Sequence, residues 1–202
     1  MSEYKPATES TLASRAIGAI IFSIFGSVWL ALWNQRAFQG SMLLYLAIAL
    51  FGLGLLAVAL SRFQLVKAFH AAESKLPRKQ AAMRRFHWIN AAQWAGILVI
   101  SNVLINVGMT AWVTPVAMLI IGLHFLPLAK VFSNPSHLVV GTVLGLFAIS
   151  YPFLLAGGPA DPYGCFGAGL ILLTNALWNV SFGWTSQMKQ SFSSTVELDL
   201  PR

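Results

Sequence analysis

FHWINAAQWAGILVISNVLINVGMTAWVTPVAMLIIGLHFLPLA, residues 86–129, runs forty-four positions without an Asp, Glu, Lys or Arg. A soluble domain clothes its surface with about a quarter of its residues charged, whereas this chain of 202 residues has 9% charged and 57% hydrophobic. The solvent for most of its surface is therefore lipid. Cutting the chain at charges, Pro/Gly clusters and polar capping residues leaves six apolar stretches, near residues 16–34, 42–60, 89–107, 112–130, 137–156 and 166–184. Each is long enough to cross a hydrocarbon core of about 30 Å at 1.5 Å per residue. The stretches lack the period-two alternation of a barrel strand, and lipid offers no partner to a free backbone N–H or C=O, so each is expected to be a helix. Ser41, Thr114-Pro115 and Ser136 stand where the second, fourth and fifth helices should begin. The expected fold is an all-α polytopic transmembrane bundle of six spans.

Domain boundaries follow from the same cuts. Residues 1–15 are polar and are expected to form a cytoplasmic tail; the apolar run after them exceeds the core of a secretory signal and is counted as a retained span. Residues 16–185 form the membrane domain, with a basic connection over 61–88, and the Ser-rich residues 186–202 are expected to be a disordered tail. Thirteen basic against six acidic residues give a net charge of +7. If the N-terminus is cytoplasmic, twelve of the thirteen basic residues fall inside and only Arg36 outside. An N-in/C-in topology is thus expected, because positive charge collects in cytoplasmic connections and a miscounted span would invert the pattern. The excess sits in short connections beside apolar spans, so it argues for anionic lipid headgroups and against nucleic acid as its partner. Arg78, Lys79, Arg84 and Arg85 are the candidate headgroup residues. Phe63, Val66 and Phe69 recur at helical spacing, so the second helix is expected to continue beyond the membrane until Pro77.

No Asp, Glu, Lys or Arg lies inside a span, Lys130 standing at the very end of the fourth. Intramembrane carboxylates of ion-driven transporters, arginines of voltage sensors and paired aspartates of proteases are all missing. There is no H-E-x-x-H, G-x-S-x-G or Walker loop either, so no catalytic residue is assigned and a non-enzymatic role is expected. Cys165, the single cysteine, provides no disulfide and no thiolate cluster, and no metal or cofactor set is visible.

The chemistry that remains belongs to neutral polar side chains. Counting from the inner ends of the spans, Asn90 lies about 4 Å and Gln93 about 9 Å deep on the third helix, and His124 about 9 Å deep on the fourth. Asn179 on the sixth reaches a similar level, and Asn175 shares its face four residues away. These five residues are the candidate ligand-binding layer. Pro127 frees the carbonyl of Leu123 beside His124 and marks an expected kink. An imidazole there has three available roles: a hydrogen-bonding link between helices, part of a solute or ion site, or a cofactor ligand. A bis-His haem lacks its second imidazole, because His87 and His137 are expected at the interface and His70 in the loop. Gly141 and Gly145 form a G-x-x-x-G, a weak signal for a homodimer.

Trp88-Ile89-Asn90-Ala91-Ala92-Gln93 together with Gly122-Leu123-His124-Phe125-Leu126-Pro127 resembles a pattern of small bacterial six-helix integral membrane proteins of no assigned activity. The likeness covers about a third of the chain. It implies a multi-pass protein of the bacterial inner membrane and draws attention to Asn90, Gln93, His124 and Pro127, without supplying a mechanism. The functional expectation is an inner-membrane protein that binds or transports a small solute around His124. The alternatives are a non-catalytic subunit of a membrane complex, with a membrane-protein partner, and an enzyme using His124 as acid or base.

Overall fold

A computed structural model describes residues 7–132 and 134–181, apart from the side chains of residues 7–10, Phe69, Ala72 and Glu73; the expected tail over 186–202 lies outside the described residues. Six α-helices follow one another: α1 (Ala7–Phe38), α2 (Met42–Glu73), α3 (Pro77–Asn106), α4 (Val113–Val131), α5 (Pro135–Leu154) and α6 (Tyr163–Ser181). Each is long and apolar enough to cross a membrane. The architecture is that of a multi-pass integral membrane protein, and the expected all-α fold of six spans is the one observed.

The helices differ in length in a way that the apolar stretches do not announce. α4, α5 and α6 have 19, 20 and 19 residues, about 30 Å and so matched to the hydrocarbon. α1, α2 and α3 have 32, 32 and 30, about 45–48 Å. α1 begins at Ala7, well inside the stretch expected as a tail. The excess lies at one end. Asn134 Nδ2 donates to Ser14 Oγ at 3.5 Å, which levels the α4–α5 turn with Ser14, and Phe86 meets Phe132 at a ring separation of 5.7 Å. Residues of α1 before Ser14 and of α3 before Phe86 therefore extend past that turn. A small apolar cluster of Leu12, Ala13, Ala16 and Val66, flanked by Phe63, binds the overhanging parts of α1 and α2. Because the α2–α3 turn and its charges lie here, we call this the basic end and its opposite the far end.

α1 packs against α2 and α6, α4 against α5 and α3, and α5 against α6. Hydrophobicity does not drive association within lipid, so close approach needs small residues and interlocking shapes. Gly26 of α1 faces Gly169 of α6, and a Cβ added to either lies 3.0–3.2 Å from the other's carbonyl oxygen. Gly122 of α4 lies against Gly141 and Gly145 of α5, where an added Cβ comes within 2.8 Å of the Gly145 nitrogen. The G-x-x-x-G is thus filled from within the chain. At the crossing of α5 and α6, Phe147 and Tyr151 fill the notches left by Gly167 and Gly164. The core along these crossings includes Phe22, Leu55, Phe125, Val140 and Leu172.

Candidate functional site

The polar groups at the basic end are organised by the start of α5. Asn134 caps the helix, its Oδ1 accepting from the backbone N–H of Ser136 at 3.1 Å, and Pro135 occupies the first turn where its missing N–H costs nothing. Ser136 Oγ then donates to Asn175 Oδ1 of α6 at 2.9 Å. Asn179 Nδ2 donates to the same Oδ1 at 2.7 Å, to the Asn175 carbonyl at 2.9 Å and to Ser136 Oγ at 3.2 Å. Asn175 and Asn179, four residues apart, form one cluster with Ser136 and join α5 to α6.

His137, the next residue of α5, is buried, with only 7% of its surface exposed. It stands in the first turn of α5, enclosed by neighbouring helices. The extended α1 runs alongside the α5 start, with Gly18 near the imidazole and the Phe22 ring at 5.9 Å. Phe125 stacks on His137 at 5.9 Å and Phe132 meets it edge-on at 6.1 Å. The Phe125 ring also packs edge-on against His124 at 5.3 Å. Aromatic rings thus separate and position two imidazoles from adjacent helices. His124 faces the backbone of Ile89 on α3. The Nδ1 atoms of both His124 and His137 are buried and have no hydrogen-bond partner.

The other candidates divide between α3 and the surface. Asn90 and Gln93 are half-buried on α3, and among the described residues neither side chain forms a hydrogen bond. Pro127 is exposed within a helix that continues from Val113 to Val131. Arg78, Arg84 and Arg85 are exposed and Lys79 is half-buried. Sequence reasoning missed Ser136, His137, Asn134 and Ser14. Asn-Pro-Ser-His after a helix end was the available signal, since a capped helix start brings its first-turn side chains together.

The far end has a smaller polar tie. Arg36, at the end of α1, donates from Nη1 to Thr114 Oγ1 of α4 at 2.9 Å and to Cys165 Sγ of α6 at 3.4 Å. Cys165 is fully buried in the first turn of α6. Asp161 accepts from the N–H groups of Gly157 and Tyr163 at 3.0 and 2.9 Å and closes the α5–α6 connection. Asn34, also fully buried, donates to the Ser41 carbonyl at 2.9 Å and closes the α1–α2 connection.

This arrangement offers hydrogen-bond acceptors and aromatic walls, and little else. Among the described residues no three His, Cys, Asp or Glu side chains gather where they would hold a metal ion. No protein family matches the chain, and no curated protein or solved structure is similar to it.

Proposed function

We propose that the chain is a multi-pass protein of the bacterial inner membrane, with both termini cytoplasmic, that binds and passes a small neutral or weakly charged solute at the layer around His124. One observation carries the solute site: His124 and His137, on adjacent helices and packed on one Phe125 ring, each bury an Nδ1 atom without a partner. Buried polar atoms in proteins are nearly always hydrogen-bonded, and an orphan costs about 1–3 kcal/mol. A solute that donates O–H or N–H groups removes that cost. Asn90 and Gln93, on the helix that His124 faces, and the Ser136–Asn175–Asn179 cluster beside His137 supply further donors and acceptors. The orientation rests on the distribution of basic residues, twelve of thirteen on one side.

Native mass spectrometry of protein taken gently from its own membranes tests this. A bound non-lipid mass is expected on the wild type and absent from His124→Ala and His137→Ala that remain folded. Folded, abundant protein that never carries such a mass overturns the solute site. A second reading, as a non-catalytic subunit, is favoured by α3, which has no buried residue along its length. It predicts a stoichiometric co-purifying polypeptide, and tolerance of His124→Gln.

A further inference from the structure

α2 and α3 are joined by three residues, Ser74–Leu76, yet α2 packs on α1 and α3 on α4, and the two scarcely touch along their lengths. They diverge from a shared corner at the basic end. Ile21, Ile24, Phe25, Val28 and Leu32 of α1 are 37–50% exposed and recur at three- and four-residue spacing. On a 3.6-residue wheel this stripe is centred about 110° from both Ser27 and Phe22, on the side of α1 away from Gly26 and α6. Ser27 meets Gly52 of α2, and the Phe22 ring meets Phe125 of α4 at 5.3 Å. The stripe is therefore the open face of α1, flanked by α2 on one side and α4 on the other, and it is apolar throughout.

The corner where the groove closes is strongly positive. Residues 61–87 carry seven basic side chains against the single acid Glu73. The corner overhangs the α4–α5 turn by about two helical turns, roughly 10 Å, which places its charges in the headgroup layer when α4–α6 fill the hydrocarbon. Lys67, Lys75, Arg84 and Arg85 are all exposed there. A second copy of this chain would bring the same positive corner against itself, and a soluble anion would leave the apolar floor uncovered. An acyl chain beneath a negative headgroup satisfies both.

We infer that the groove bounded by α2, α1, α4 and α3 is a one-to-one binding site for an anionic phospholipid, its phosphate among Lys67, Lys75, Arg84 and Arg85 and an acyl chain along the α1 stripe. The inference rests on the membrane-spanning reading of the bundle and is independent of the solute site at His124.

The test is native mass spectrometry of the full chain in mild detergent, titrated with phosphatidylglycerol and phosphatidylcholine of matched acyl length. One phosphatidylglycerol per chain is expected, retained over phosphatidylcholine by about tenfold or more, given the attraction that each basic residue adds. Combining Lys67→Gln, Lys75→Gln, Arg84→Gln and Arg85→Gln should reduce that preference to near unity. Val28→Trp, which fills the groove floor, should lower retention of both lipids. All these positions are exposed, so unfolding temperatures should stay at the wild-type value and exclude misfolding. Equal retention of the two lipids by wild type, a graded uptake with no one-to-one step, or a preference unchanged in the quadruple variant overturns the site. His124→Ala should leave lipid retention intact, so failure of the solute reading and failure of this one are separable.

Discussion

The most apolar 18-residue windows of α3 and α6 have similar mean hydropathy, 1.4 and 1.2, yet half of the α6 window is buried and none of the α3 window. Apolarity therefore does not decide which helix enters the core. α6 presents Gly164, Gly167 and Gly169, each filled by a facing group: Tyr151, Phe147 and the Gly26 backbone. α3 also has small residues, but Ala91, Ala92 and Ala95 are exposed, and a Cβ on Gly96 would meet only Ile120, at ordinary contact distance of 3.9 Å. A small residue buries a membrane helix only when its neighbour offers a shape to match.

Paired substitutions can break that contrast. The largest effect is expected from Gly122→Leu, since even a Cβ there meets backbone atoms of α5 at 2.8–2.9 Å. Backbone cannot turn aside, and a loss of more than about 3 kcal/mol should appear in reversible unfolding in bicelles. Gly96→Ala on α3 should change stability by less than about 0.5 kcal/mol. If the two substitutions cost the same, complementary notches are not what hold the bundle. Gly26→Ala should fall between them, at about 1–3 kcal/mol, because its closest neighbour is the Leu173 side chain, which has some freedom to move.

Polar side chains sharpen the comparison at lower energy. Asn179→Ala removes the bonds to Ser136 and Asn175 and should cost about 1–2 kcal/mol, near the upper range for interhelical hydrogen bonds in membranes. Gln93→Ala on α3 should leave stability almost unchanged in the same unfolding assay while reducing retention of the non-lipid mass. The smallest effect belongs to Trp88→Ala. Trp88 is 79% exposed, and its loss should shift the helix relative to the interface, read as altered tryptophan quenching by depth-placed lipids, with no measurable change in unfolding.

The spans were legible because they depend on runs of apolar residues, a property local to the chain. Asn175 and Asn179 were legible as a pair for the same reason, their four-residue spacing. Their partner Ser136 was not, because it depends on the register of α5 against α6, which is set by Phe147 and Tyr151 entering the glycine notches. The enclosure of His137 is non-local in the same way. A histidine three residues after a cap gives no sign of Phe22 on α1, Phe125 and Phe132, which enclose it, and the overrun of α1 before Ser14 uses residues polar enough to be taken for a tail. Gly141 and Gly145 were legible as a surface for close helix approach, but nothing in their own segment points to Gly122 as the group that meets them.

The meeting of Gly26 with Gly169 joins the first helix to the last. During synthesis α1 can pair early with α2, but the face that carries Gly26 has no match until α6 leaves the ribosome. At about 5–20 residues per second that interval is roughly 7–30 seconds. Through it the face that α6 will cover stands against lipid or against whatever assists insertion.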